Sequence, residues 1–383
     1  TKGNFLRKGL VTFQFVASIF LITGTYIVYQ QLQFLQSQDL GLNIDQTLVV
    51  KTPSFASDSI YSINYDVFRS QLAGESSIKA MSASTVVPGR TPGWNAGGIR
   101  FINQTEAESK QYRVLGGDHR FMDFYGLEVV AGRSFNDQFG QEESNVLFNE
   151  AALHQIGLKD PAAILNRKIY FWGDTMSVVG VVKNYRQESP KQAYDALIFR
   201  YFPAPTGFYS IRLDGNNVQQ GIQNIRQHWE AAFANKPFDY FFLDEHYNEQ
   251  YKAELSFGTI FAGFAGLAIL VACLGLFGLA SYVTKLRSKE ISVRKILGAS
   301  LPNLWWLLSF DFIKWVGLAI LIAVPLNWWV MNYWLENFAN RIHLSWWIFL
   351  IPALVLIGIA TLTVSYHTLR IALINPAKTL KEQ

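Results

Sequence analysis

The chain has 383 residues, half of them hydrophobic and only 16% charged, with a mean hydropathy of +0.13 and a net charge of +4. Soluble domains carry roughly a quarter charged residues, so the deficit points to membrane spans. A single cysteine, Cys273, excludes an intrachain disulfide or a Cys-based metal site. The charge is unevenly placed: residues 33–255 hold about 20 Lys/Arg against about 25 Asp/Glu, whereas the flanks hold about 13 against about 4. That split is a topological signal, and no nucleic-acid footprint is read from it.

Residues 9–29 (GLVTFQFVASIFLITGTYIVY) form the first apolar run, with no charge between Lys8 and Asp39. It is too long for a signal-peptide core, no small-residue cleavage site follows, and the polar continuation QQLQFLQSQ extends the helix beyond a bilayer. The first residue is Thr, and the sequence is expected to be part of a longer polypeptide. A charge-free run over 255–284 is the second span, with Gly258, Ala262 and Gly266 spaced for close helix approach. A third span over 304–335 has Asp311 and Lys314 near its start, and a fourth runs over 345–369. Pro325 and Pro352 lie inside these spans, and Trp residues crowd their ends as headgroup-level rings do.

Lys2, Arg7 and Lys8, then Lys285, Arg287, Lys289, Arg294 and Lys295, then Arg370, Lys378 and Lys381 occupy segments that four spans place on one side. The positive-inside rule makes that side cytoplasmic, with both termini, and puts residues 39–254 outside. The fold class expected is therefore membrane α-helical, with four transmembrane helices and a large α+β extracytoplasmic domain. The boundaries are 1–38 for the N-terminus, first span and stalk; 39–254 for the exterior domain; 255–284 for the second span; 285–303 for a cytoplasmic loop; and 304–383 for the last two spans and tail.

Within the exterior domain, β-rich runs fall at 47–50, 78–87, 110–115, 145–148, 176–182, 207–213 and 238–243, with helical patterns at 61–74, 149–157 and 216–233. Gly74, Gly126 and Gly157 are candidate helix stops. VVPGRTPGWNAGG (86–98) reads as an exposed loop. No phosphate loop, nucleophile elbow or HExxH helix is present, and the six histidines show no ligand spacing. Asp244, Glu245 and His246 are adjacent in sequence and so face different ways, which favours a charged collar over an acid–base set. No catalytic residue, metal or cofactor is expected.

The segment TKLRSKEISVRKILGAS (284–300) reads as a short amphipathic helix. Leu286, Val293, Ile296 and Leu297 share one face, Glu290 pairs with Arg294, and Gly298 caps the end. From the residues alone it is either an anchor on anionic lipid or a protein-docking helix. KEISVRKILGAS resembles the KEIGIRKxLGAS signature of the FtsX/MacB-like permeases of ABC transporters, with Ser292 where that family usually has Gly. The opening span and stalk, FYGLEVVAGRSF, NVLFNEAALHQIGLKDPAAILNRKI, VVGVVKNYRQES, FFLDEHYNEQYKAE, DFIKWVGLAILIAVPLNWWVMNYWLENFANRI and INPAKTLK extend the resemblance over nearly the whole chain, closest to Bacteroidetes permeases.

The resemblance implies a MacB-type exterior domain of two lobes, porter-like and inserted, and an FtsX-like permease domain over 255–383. It also implies a permease of the mechanotransmission type in the bacterial inner membrane. On that pattern Lys289, Glu290, Ile291, Arg294, Lys295, Leu297 and Gly298 belong to a coupling helix that docks a cytoplasmic ABC-type ATPase, where ATP binds. Other implied partners are a second permease half or a second copy of the chain, membrane lipid, and a periplasmic adaptor or outer-membrane channel. The sequence most resembles the second half of an eight-span chain. A two-span sensor with a ligand-binding ectodomain leaves two spans unexplained. A secondary transporter needs mid-membrane ionisable residues, which the span centres lack. The substrate is not legible in the sequence.

Overall fold

The computed structural model of the chain describes residues 2–53, 58–188, 191–249, 252–286, 294 and 301–372. It divides into two units: Thr1–Ser37 with Ala253–Gln383, and Gln38–Lys252.

The first unit is helical: α1 (Lys2–Gln36), α7 (Lys252–Leu286), α8 (Leu301–Leu335) and α9 (Trp347–Ala372), with α2 to α6 in the other unit. α1 continues unbroken through the polar stretch to Gln36, as QQLQFLQSQ predicts. Among the described residues, three segments are long and apolar enough to cross a membrane: Gly9–Gln36, Leu255–Val283 and Ile313–Leu335. The fourth expected span corresponds to a real helix, α9, whose apolar stretch Trp347–Thr363 is shorter. Pro325 and Pro352 sit inside α8 and α9. The interior of this unit is built from Val11, Phe15 and Ile19 of α1 against small residues of the other helices, such as Ala272, Ala319 and Ala360. Small side chains bring helix backbones close where lipid supplies no hydrophobic driving force.

The second unit begins with β1 (Thr47–Lys51), α2 (Asp58–Leu72) and β2 (Ile78–Ser84). It closes with β10 (Phe208–Leu213), α5 (Val218–Ala232), β11 (Tyr240–Phe242) and α6 (Leu243–Glu249). The strands lie in the order β11-β1-β10-β2, every neighbour antiparallel. That is the split βαβ arrangement, in which each helix crosses over one intervening strand. Tyr61, Tyr65, Phe68 and Leu72 of α2 and Gly221, Ile225 and Trp229 of α5 repeat at helical spacing and face this sheet. Their rings pack around Tyr209, with centroids 5.4 Å from Tyr65, 5.7 Å from Phe68 and 6.2 Å from Trp229.

Residues 85–207 are inserted between β2 and β10. They hold β3 (Trp94–Phe101), β4 (Lys110–Gly117), α3 (Phe121–Tyr125), β5 (Val129–Gly132), β6 (Asn145–Asn149), α4 (Glu150–Gln155), β7 (Lys168–Phe171), β8 (Asp174–Val182) and β9 (Leu197–Tyr201). The pairings β4–β3–β7–β8–β6–β9 return from β9 to β4, so six strands close into a ring, with β5 added on β8. Closure removes the exposed edges that an open sheet would carry. Ile99, Tyr112, Phe148, Ile169, Val178 and Ile198 belong to its core.

The seven predicted strand runs and three predicted helices are all present at or near their expected positions. Strands β3, β5, β7 and β9 and helices α3 and α6 are additional. The stretch 86–98 is a loop only over 86–93 and is exposed only in part. Val86 and Val87 are buried, and β3 already begins at Trp94. Gln187 holds the turn by long-range bonds: its Nε2 donates to the carbonyls of Val87 (3.0 Å) and Arg90 (2.9 Å), and its own carbonyl accepts from Gly89 N–H (2.7 Å). Of the proposed helix stops, Gly126 and Gly157 take left-handed φ of 65° and 90°.

The two parts of the sheet meet at one residue pair, Ser84–Gly117. Asp118 follows directly and is 1% exposed. Its carboxylate accepts from Ser82 Oγ (2.7 Å), Ala83 N–H (3.0 Å), Tyr65 O–H (3.2 Å) and Arg120 N–H (3.2 Å). Burial pushes its pKa up, and the hydrogen bonds from Ser82 and Ala83 act in the opposite direction. The two backbone donors lie on different oxygens, so an Asn amide would turn its NH2 toward a fixed N–H in either orientation. Asp118→Asn is expected to cost the domain about 1–3 kcal/mol. Urea unfolding of the purified chain, read by domain fluorescence, checks this; an unchanged midpoint contradicts it.

Candidate functional site: the helical unit and the 284–300 segment

Each helix contact around α1 falls into a register. Against α8, Phe20 carbonyl accepts from Asn327 Nδ2 (3.0 Å), Gly24 lies opposite Met331, and Gln31 reaches residues 340 and 342. Numbers rise together on both sides, so α1 and α8 run parallel. Against α7 they run in opposite senses: Gln14 lies by Gly275, Ser18 Oγ donates to Ala268 carbonyl (3.0 Å), and Val28 lies by Gly258. α1, α7 and α8 therefore alternate in direction along the chain. A Cβ added at Gly275 would come within 2.3 Å of Gln14 Oε1. An alanine there would displace the end of the Gln14 side chain.

Among the described residues, the buried polar groups of this unit are Thr12, Ser18, Thr23, Gln31 and Asn327, and none of these is ionisable. Lys314, near the start of the Ile313–Leu335 apolar stretch, is exposed and holds its ammonium 4.4 Å from the centre of the Phe310 ring. Between α1 and α7 an apolar groove of about 710 Å³ is lined by Ile22, Tyr26, Leu32, Gly258, Ala262 and Gly266. Leu255, Phe264, Leu267 and Leu274 of α7 are exposed. In water such a face would be untenable, whereas lipid or another apolar helix satisfies it.

Of the sequence-predicted docking residues, Arg294 is described, as a helical, exposed residue. Lys289, Glu290, Ile291, Lys295, Leu297 and Gly298 lie outside the described residues.

In the 38–252 unit, no group of His, Cys, Asp and Glu side chains suited to a metal occurs among the described residues. Asp244 and Glu245 are exposed, while His246 is half-buried with its ring 5.0 Å from that of Phe241. The three do not converge, in agreement with the reading that adjacent residues make no acid–base set. Arg90 lies over Phe241 and over Phe208, 4.9 Å from each ring centre. A separate cleft of about 540 Å³ is lined by Tyr61, Trp94, Phe202 and Pro203 with Ser62 and Thr85, and no charged residue lines it among the described residues.

Residues 262–376 match the FtsX-like permease C-terminal family. The chain carries an FtsX-like permease domain. Among solved structures, the chain is similar to the periplasmic region of MacB from Actinobacillus actinomycetemcomitans (15% identity, 56% of this chain and 95% of that one, TM-score 0.39). It is also similar to the extracellular domain of the noncanonic ABC-type transporter YknZ from Gram-positive bacteria (15% identity, 51% of this chain and 97% of that one, TM-score 0.36). No curated protein sequence matches the chain.

Sequence reasoning missed Gln31 and Gln187, both buried glutamines whose partners are distant in sequence. Gln31 carries a usable signal, because it falls on the stripe Ile27, Val28, Leu32 and Leu35 that α1 buries. Gln187 carries none.

Burial pushes the His246 imidazole pKa down, and the nearby Arg90 cation adds to this. A lowered folded-state pKa means that stability is fully present above the unfolded value of 6.5 and is lost as pH falls through the folded one. Unfolding midpoints of the 38–252 unit in the intact chain are expected to fall between pH 7.5 and pH 5, by less in His246→Phe. An identical fall in the variant would show that His246 is not the group responsible.

Proposed function

We propose that the chain is the membrane permease subunit of an ABC transporter of the mechanotransmission type. The observation that carries this reading is the FtsX-like permease match over residues 262–376, which include most of α7 and all of α8 and α9. On this reading all four helices cross the bacterial inner membrane, both termini and the 284–300 segment are cytoplasmic, and residues 39–254 are periplasmic. The split βαβ part corresponds to the porter-like lobe and the six-strand ring to the inserted one. ATP is bound and hydrolysed by a separate cytoplasmic ATPase docked on the segment containing Lys289, Glu290, Ile291, Arg294, Lys295, Leu297 and Gly298. A second permease half or second copy completes the assembly, and an adaptor or outer-membrane channel would extend it toward efflux.

The physical support is consistent across levels. Ion-coupled secondary transport needs ionisable groups in the membrane interior, and among the described residues the buried polar groups of the helical unit are all neutral. The work is thus assigned to displacement of helices, driven from the cytoplasmic side and delivered along α1 and α7, the two helices that lead directly into residues 38–252.

Copurification tests the docking assignment. The tagged chain is expected to bring down a small ATPase whose recovery is lost on Arg294→Glu or Leu297→Asp, while the variants still insert and retain the folded 38–252 unit. Unchanged recovery in both variants would remove the coupling segment from the account.

A further inference from the structure

Gln31 is a fully buried amide near the end of α1, and both ends of its side chain are used. Nε2 donates to the carbonyl of Asn340 (2.8 Å), and Oε1 accepts from the N–H of Ile342 (2.9 Å). Those two groups belong to alternate residues of the turn joining α8 to α9, so the amide engages the turn as a neighbouring strand would. Two turns below it Gly24 lies by Met331, and one turn further the Phe20 carbonyl accepts from Asn327 Nδ2, a second polar tie between α1 and α8. The contact of α1 with α7 is of a different kind. Val28 lies by Gly258 and Gln14 by Gly275, one buried hydroxyl, Ser18, donates to the Ala268 carbonyl, and the 710 Å³ groove lies alongside. Interfaces of small side chains tolerate sliding, whereas a buried amide with two partners must lose both bonds before it can move.

We propose that Gln31 is a positioning residue that makes α1 and the α8–α9 hairpin one moving body, with α7 the element that shifts against it. A displacement carried by α1 is then delivered to α8 and α9 at their connecting turn, and relative motion is confined to the α1–α7 interface. The link to transport rests on the permease reading above, but the clamp itself is a property of the helices and is read without any partner.

The test uses the full chain in lipid nanodiscs, with Cys273→Ser and spin labels at the exposed positions Tyr29 and Tyr333. The wild-type background should give a narrow distance distribution, and Gln31→Leu a broad one, while a label pair within the 38–252 unit is unaffected. Hydrogen exchange supplies the second readout: the Ile342 amide should exchange roughly tenfold faster or more in Gln31→Leu. An unchanged distribution in Gln31→Leu would overturn the proposal, as would an unchanged exchange rate of the Ile342 amide in that variant. Failure of the wild-type chain to bind any ATPase would sink the permease reading and leave the clamp result standing.

Discussion

The organisation of the helical unit depends on α1 being held in parallel register against α8. α1 runs through the apolar region and continues as helix to Gln36, two residues before the second unit begins. Nothing in an apolar medium would fix how far such a helix slides along its neighbours, because lipid is as good a partner for Leu or Ile as another helix is. The register is instead set by a few polar groups that must find partners out of water, Asn327 at the middle and Gln31 at the end. Each satisfies a main-chain group or is satisfied by one, which makes the match both directional and specific.

The same rule operates in the second unit by different means. There the hydrophobic effect is available, and three apolar clusters do most of the stabilising. What it does not specify is how a closed ring of six strands attaches to a four-stranded split βαβ sheet. One backbone pair joins them, and the buried Asp118 carboxylate gathers donors from α2, β2 and the start of α3 around that joint. Buried polar groups cost stability unless every partner is present. Their value in both units is that they permit only one arrangement.

Much of this was legible in the sequence, and the parts that were not share a cause. Apolar run length and basic-residue placement gave the helices, because the bilayer sets a length scale that local sequence obeys. β-rich runs gave β1, β2, β4, β6, β8, β10 and β11, and Gly126 and Gly157 were readable as stops. Strands β3, β5, β7 and β9 were missed because they are short or glycine-containing and are ordered by pairing with distant strands. The start of the stretch 86–98 was misread as exposed for a related reason: Gln187 holds Val87 from a hundred residues away. Of the candidate docking residues Arg294 alone is described, so the coupling segment still stands on its sequence pattern and family likeness. Gln31 looked like part of a polar stalk, and only its position on the buried stripe of α1 marked it as different.

The central claim is that four helices alternate in direction through one membrane, which is what makes α1 and the α8–α9 turn neighbours. Site-directed labelling measures this directly. Single cysteines are placed at Ser37, at Lys285 and at Asn337 in a Cys273→Ser background and exposed to a membrane-impermeant maleimide in intact spheroplasts. Labelling at Ser37 and Asn337 with Lys285 protected until lysis is the result the account predicts. Asn337 protected while Ser37 is labelled would mean that α8 does not cross alongside α1, and would contradict it.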